Sequence, residues 1–244
     1  MTTKFFEKLS SNLNDLLTNS NEYNVIIEVG QVPNNQTFKA HSIILSSRCS
    51  YFKNKLSSIT CGEGNTKKIH QTNISVKAFD FIIKYIYSGV ISLEKVDTSA
   101  IFDLLIASNE FGLKELVEHI QLILIKNHAS WLRLNFSLVY QTSFKDDNFN
   151  ELRHFCANIV AKYPNIIFDS DEFITLPENI LIFVLKLDDL QMDEGTIWDY
   201  VIKWGIAQNP SLNINLDQWS DTDFLTLKNT LQNCLPLVRY FQIP

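Results

Sequence analysis

Apolar residues recur every three or four positions over residues 5–17, which is the spacing of one face of an amphipathic helix. They are Phe5, Phe6, Leu9, Leu13, Leu16 and Leu17. Two short strands are predicted next, one over residues 23–29 and one that ends at Ala40. From Ile43 to Leu56 the helical spacing returns, so the pattern predicts a strand that leads into two short helices.

The polar stretch over residues 57–68 contains two glycines and is predicted to be an exposed loop. A short strand is expected near Ile69, and residues 76–88 follow a helical period that Gly89 ends in a left-handed conformation. Two more helices are predicted before Asn127. Beyond that point every apolar pattern has helical spacing, so the second half is predicted to be entirely helical. Its acidic clusters fall where helices should begin, next to the positive end of the helix dipole.

The residues from Phe38 to Phe52 read F-x-A-H-x-x-I-L-S-x-R-x-x-Y-F, which resembles the signature of the BTB/POZ family. The ending Tyr85-Ile86-Tyr87-Ser88-Gly89 is similar to the family's Y-I-Y-T-G. Two positions depart from the family pattern. Asn24 stands where the family usually has Asp, and Ser42 stands where it has Lys or Arg. Because these charges shape a corepressor site in the family's zinc-finger transcription factors, their absence argues against corepressor binding.

Landmarks in the second half resemble the BACK domain, the helical module that follows BTB in Kelch-type adaptors. They are Phe173 to Glu178, Leu187 to Leu190, Ile197 to Trp204 and Leu235 to Tyr240. The resemblance implies an α+β BTB/POZ domain over residues 1–127, followed by an all-α BACK domain over residues 128–244. In such adaptors a client-binding domain would begin where this sequence stops, at Pro244.

In the resembled family the leading helix packs in a two-fold dimer interface. The resemblance therefore implies a homodimer, and packing of the helix on its own domain is the alternative. The implied interface residues are Phe5, Phe6, Leu9, Leu13 and Leu16.

The resemblance also implies that the protein is an adaptor linking an unknown client to a cullin-3-type ubiquitin ligase. In cullin-binding members, a hydrophobic-x-Glu motif lies in the loop after the Tyr-Phe helix. Its counterpart here is Cys61-Gly62-Glu63, with a small cysteine at the anchor position. The implied cullin contacts are Tyr51, Leu56, Cys61 and Glu63. A dimeric scaffold with no ligase connection, serving transcription or a further domain, is the alternative.

The charge is uneven along the chain. Residues 1–126 hold 13 Lys and Arg against 12 Asp and Glu, whereas residues 127–244 hold 8 against 15. Nucleic acid is not an expected partner, because phosphate binding requires a concentrated basic surface. The first 17 residues do not resemble a signal peptide and no apolar run reaches transmembrane length, so we expect a cytoplasmic or nuclear protein with no membrane partner.

The sequence holds no recognisable catalytic or metal-binding pattern, so we expect neither an enzyme nor a cofactor. The four cysteines are scattered without a C-x-x-C pair, which predicts free thiols. His41 is interpreted as a capping or core residue, and His154 should point away from Cys156 on one helix. The pair Asp188-Asp189 is interpreted as part of a loop between helices. Trp198, Tyr200 and Trp204 are interpreted as core residues rather than as a stacking platform.

Overall fold

The computed structural model describes residues 3–19, 22–60, 62–213 and 216–240. The chain divides into two compact units. The first unit comprises residues 1–135 and 146–151, and the second comprises residues 136–145 and 152–244. A boundary between residues 127 and 128 stays a prediction, because the units interleave over residues 136–151 instead of meeting at one position.

The first unit is a small sheet surrounded by helices, as the sequence predicts. Its helices and strands are α1 (Phe6–Thr18), β1 (Val25–Val29), β2 (Gln36–Ala40), α2 (Ser42–Arg48), α3 (Ser50–Ser57), β3 (Lys67–Gln71), α4 (Val76–Ser88), α5 (Thr98–Glu110), α6 (Lys114–Asn127) and α7 (Ala129–Leu134). A single 3-10 turn, Glu63–Asn65, interrupts the predicted loop before β3.

The three strands lie in the order β2-β1-β3. β1 pairs antiparallel with β2, with Val25 opposite Ala40, and parallel with β3, with Val25 opposite Lys67. Val25, Ile27 and Val29 are fully buried, whereas the residues between them face outward. This alternation is the period of two that a half-buried strand requires.

Helix α4 is confirmed with both of its predicted ends. The Ser75 hydroxyl accepts from the Ala78 N–H at 3.2 Å, which caps the first turn. Gly89 has φ +70°, and its N–H donates to the Tyr85 carbonyl at 2.8 Å. Because left-handed backbone strains residues that carry a Cβ, glycine suits this position.

Residues 146–151 fold back onto the first unit through a polar network. The Asn109 Nδ2 donates to Asp146 Oδ2 at 3.1 Å, and the Asn148 Nδ2 donates to Asn109 Oδ1 at 2.8 Å. Gln121, which is buried, donates from Nε2 to the Asn148 carbonyl at 2.8 Å. Phe149 is buried in the same segment. These contacts assign the segment to the first unit although it follows the first helix of the second.

The second unit contains helices and turns and no strand among its described residues, as predicted. Its helices are α8 (Phe136–Ser143), α9 (Asn150–Lys162, which starts in the first unit), α10 (Asn165–Phe168), α11 (Glu178–Leu185), α12 (Glu194–Ala207) and α13 (Asp221–Thr230). Two of the predicted helix starts are confirmed: Asp193 is the N-cap of α12, and Ser220, the N-cap of α13, forms a capping box with Asp223. After residues 169–172, however, only the three-residue turn Phe173–Thr175 follows.

Arg239 ties the last described turn to the start of α12. Its backbone N–H donates to Glu194 Oε2 at 3.1 Å, and its Nη1 donates to the Asp188 carbonyl at 3.2 Å. Glu194 is buried, and the bond from the Arg239 N–H, together with Arg239 Nε 3.9 Å from Glu194 Oε1, compensates a carboxylate that has left water. Two of the sequence landmarks, those that contain Asp188 and Arg239, therefore meet at the start of α12. No helix in the described ranges is long and apolar enough to cross a bilayer.

Helices α12 and α13 pack closely at Gly205. A Cβ built there would lie 2.8 Å from Leu227 and Leu231 atoms. We expect Gly205→Ala to lower stability although alanine favours helices by about 1 kcal/mol, because overpacking costs typically about 1–3 kcal/mol. Thermal unfolding followed by circular dichroism should show a midpoint lower by about 2–4 °C for each kcal/mol lost. Gly62→Ala is the control, since its nearest contact would be an ordinary 3.6 Å. An unchanged midpoint for Gly205→Ala would contradict the close packing.

Candidate interaction surface

The first helix divides its apolar residues between its own domain and solvent. Ser10 donates its hydroxyl proton to the Ser88 carbonyl at 2.7 Å, which fixes α1 against the end of α4. On this side Leu13 and Leu17 are half-buried. Phe5 is 80% exposed, Phe6 65%, Leu9 55% and Leu16 39%. The helix therefore packs on its own domain and also leaves a large apolar surface without cover.

A groove of about 510 Å³ runs between α1 and the end of α4. Phe6, Leu9 and Leu13 line one wall, and Tyr87 and Val90 line the other. Arg48 also borders the groove. Its Nε donates to the Ile86 carbonyl at 3.3 Å, so this cation helps to close the end of α4.

The two positions that depart from the family pattern bind each other. The Ser42 N–H donates to Asn24 Oδ1 at 2.8 Å, and Asn24 Nδ2 donates to Ser42 Oγ at 2.8 Å. Asn24 thus satisfies one of the free N–H groups in the first turn of α2. Next to this pair Ile43 is 76% exposed. The surface at the start of α2 is therefore neutral and partly apolar.

His41 has a structural role, as its position before α2 predicts. Its backbone N–H donates to the Tyr87 hydroxyl at 2.8 Å, and its Nδ1 lies 2.9 Å from the same oxygen. Burial raises the pKa of Tyr87 to about 12, while the hydrogen bond from the His41 backbone acts in the opposite direction. The contact connects the end of β2 to the end of α4, and Nε2 of His41 is buried without a partner.

Tyr51 and Leu56, two of the four implied cullin-contact residues, differ in their exposure. Tyr51 is half-buried, with its ring 4.7 Å from that of Phe111 and its hydroxyl accepting from Gln71 Nε2 at 2.7 Å. Leu56 is only 3% exposed, so its side chain packs inside the domain and offers no contact surface in this conformation. Cys61 lies outside the described residues, and Glu63 belongs to the 3-10 turn before β3. The set as a whole stays a prediction.

Metal ligands are not brought together among the residues that the structure describes. No group of three or more His, Cys, Asp or Glu in these ranges could hold a metal ion. His154 is exposed and Cys156 is buried, as their helical spacing predicts. Trp204 is buried, confirming a core role, whereas Trp198 and Tyr200 are half-buried.

Comparison with known protein families identifies both parts of the chain. The BTB/POZ domain model matches residues 13–128, and the BACK model, BTB And C-terminal Kelch, matches residues 140–218. The chain has a BTB/POZ domain followed by a BACK domain. This result confirms the family resemblance and the fold class predicted from the sequence. Such a domain pair is typical of protein-interaction adaptors that are not enzymes.

Among the similar proteins is BTB/POZ domain-containing protein 9 of several animals. The BTB–BACK chain is 26% identical to the Drosophila melanogaster protein over 216 residues, which cover 88% of this chain and 27% of that protein. It is 24% identical to the Homo sapiens protein over 179 residues, which cover 72% of this chain and 28% of the relative. The chain thus spans about a quarter of the length of these relatives.

Solved BTB domains also match the structure. The BTB domain of zebrafish PATZ1 aligns with a TM-score of 0.41 at 21% identity, covering 52% of this chain and 99% of that one. The BTB domain of human Gigaxonin aligns with a TM-score of 0.38 at 21% identity, covering 49% of this chain and 93% of that one.

Three thiols of the BTB–BACK chain, those of Cys49, Cys156 and Cys234, should react slowly in the native state. Burial raises the pKa of Cys156 to about 12 and of Cys234 to about 11, and it also raises the pKa of Cys49. Because the thiolate is the nucleophile and its fraction at pH 8 falls as the pKa rises, these cysteines should resist a disulfide reagent. We expect Cys61→Ser protein to react with Ellman's reagent only after urea is added. Rapid reaction of the native variant at pH 8 would contradict the buried positions.

Proposed function

We propose that this chain is a homodimeric BTB–BACK adaptor that connects a client protein to a cullin-3-type ubiquitin ligase in the cytoplasm or nucleus. The domain pair supports an adaptor, and the observation that carries the proposal is the exposed apolar face of α1. Phe5, Phe6, Leu9 and Leu16 together expose more apolar surface than a single scattered side chain would. A second copy that covers this face would remove it from water.

The free energy available for association is substantial. Complete burial of one large apolar side chain contributes about 1.5–3 kcal/mol before the cost of ordering the two partners. Several such residues lie on one helix, and a two-fold interface uses each of them twice. The exposed face of α1 therefore carries the kind of large apolar side chains that a stable dimer interface buries.

The dimer is tested by placing a charge on this face. We expect Leu9→Asp to convert the protein to monomers at tens of micromolar, as measured by light scattering, because an aspartate cannot be buried unpaired. Leu134→Asp is the matched control, since Leu134 is 87% exposed on α7 and lies outside the α1 face. Circular dichroism should show both variants folded. A monomeric wild type, or a dimer that tolerates Leu9→Asp, would contradict the proposal.

The ligase connection rests on the family resemblance and needs a separate measurement. Interface energy concentrates in a few buried apolar anchors, so a cysteine in place of a large anchor should forfeit about 1–2 kcal/mol, or roughly 5- to 30-fold in affinity. We expect Cys61→Met to bind a purified cullin-3 amino-terminal domain more tightly than the wild type in calorimetry. Glu63→Lys should bind more weakly, with the exposed Glu94→Lys as its charge control. Leu56→Asp is unsuitable, because Leu56 is buried and the variant would report on folding.

The alternative is a dimeric scaffold without a ligase. The neutral Asn24–Ser42 pair does not favour a corepressor partner, because the charges implied by the family resemblance are absent. If neither the wild type nor Cys61→Met gives heat with the cullin domain while the dimer is observed, the ligase connection is rejected and the plain scaffold remains.

A further inference from the structure

A second groove, of about 520 Å³, lies inside the BACK domain between the end of α8 and the start of α11. Its apolar lining consists of Phe144, Leu176, Pro177 and Ile180. Phe144 and Leu176 are half-buried, Pro177 is exposed and Ile180 is buried. The volume is within the range of about 300–1,000 Å³ that is typical of clefts that bind ligands. The BACK domain therefore has an open apolar recess of its own, apart from the groove beside α1.

Hydrogen bonds fix both walls of this BACK groove. Ser137 donates its hydroxyl proton to Glu172 Oε2 at 2.6 Å, which ties α8 to residues 172–177. Trp204 Nε1 donates to the Leu176 carbonyl at 2.9 Å, so α12 also holds these residues in place. A groove that is already formed lowers the cost of ordering the protein when a ligand binds.

The end of the BACK groove next to α8 is basic. Lys145 lines the groove and is exposed, and its ammonium has no hydrogen bond or ion pair within the described ranges. The guanidinium carbon of Arg153 lies 5.2 Å from the centre of the Phe144 ring, and this side chain donates two hydrogen bonds to a carbonyl at the end of α8. A second cation is therefore fixed at the same end. The carboxylate among the described lining residues, Glu172, already accepts a hydroxyl proton.

The polar lining of the BACK groove suits a peptide backbone. Gln141 and Asn179 are both exposed at the groove, and a side-chain amide can donate and accept hydrogen bonds at the same time. An extended peptide presents free N–H and C=O groups that need such partners. A long acyl chain with a carboxylate head would leave these amides without partners, so a peptide matches the lining better.

We propose that the BACK groove binds a short extended segment of a client protein in which an acidic side chain lies close in sequence to a large apolar one. The apolar side chain packs on Phe144 and Leu176, and the acid forms an ion pair with Lys145. A basic segment is disfavoured, because Lys145 and Arg153 would repel it. The inference rests on the proposed adaptor function in taking a client as the source of the segment.

Selection from a random library tests this chemistry. The purified full chain is presented with phage-displayed random dodecapeptides, and the bound sequences are read. We expect the recovered sequences to be enriched in Asp or Glu close to Leu, Ile or Phe. Recovery of basic or uniformly apolar sequences, or of no sequence, overturns the inference.

Charge reversal at Lys145 shows where the peptide binds. Fluorescence polarisation measures the Kd of a labelled synthetic peptide that has the sequence recovered most often. We expect Lys145→Glu to raise this Kd about tenfold at low salt, and a peptide with lysine in place of its acid should bind this variant more tightly than the original peptide does. Lys162→Glu is the matched control, since Lys162 is an exposed lysine of α9 outside the groove lining.

A bulky side chain at the groove provides a test that does not depend on charge. Asn179→Trp adds volume at an exposed lining position and should also weaken binding of the selected peptide. Circular dichroism should show all three variants folded. A peptide that binds Lys145→Glu, Lys162→Glu and Asn179→Trp equally well lies elsewhere on the protein and overturns the inference.

The oligomeric state and the cullin affinity of the wild type are measured independently of the peptide. An acidic peptide that binds through Lys145, in a chain that gives no heat with the cullin domain, supports the BACK groove and rejects only the ligase connection. A dimer that binds the cullin domain but selects no acidic peptide overturns the BACK groove and leaves the proposed function intact.

Discussion

Strand β1 is the element on which the first domain depends. It bonds along both edges, and its three inward side chains are completely buried. The pairing with β2 determines where His41 ends the sheet and where α2 begins, and it brings Asn24 to Ser42. The pairing with β3 sets the start of α4, whose far end receives the Ser10 hydroxyl of α1. A shift of one residue in β1 would turn its apolar residues outward and misplace all of these contacts.

The exposed apolar surface exists because the apolar face of α1 is wider than the end of α4 on which it packs. The apolar face of α1 covers more of the helix than the end of α4 can shield, so Leu13 is half-buried while Leu9 and Phe5 remain exposed. Arg48 and the Ser10 bond occupy the polar groups at the end of α4, which leaves chiefly apolar surface beside it. The same helix can therefore stabilise its own domain and present a surface to another molecule.

The sequence predicts the helices and strands well, and it predicts less well which of their side chains are buried. Helix α1, the ending at Gly89 and the helical second half follow from local spacing and glycine chemistry, and the structure confirms them. Periodicity cannot show which part of a wide apolar face a neighbour covers. That Leu13 is half-buried and Leu9 exposed therefore depends on tertiary packing, which the sequence pattern does not contain. Periodicity also cannot show whether Leu56 packs in the core or contacts a cullin, and the structure places it in the core. Only the turn Phe173–Thr175 follows the acidic residues 169–172, where a helix should begin, because Glu172 makes no side-chain cap and no long apolar run follows it.

The return of residues 146–151 has a consequence for synthesis of the protein. The first domain is not complete at the end of α6, because Gln121 bonds to Asn148 and Phe149 becomes buried only when this later segment arrives. A chain that emerges from the ribosome amino terminus first must therefore release part of the second domain before the first can close. The two domains are coupled in the order of their folding, and a protein cut after α6 would lack a piece of its own interior.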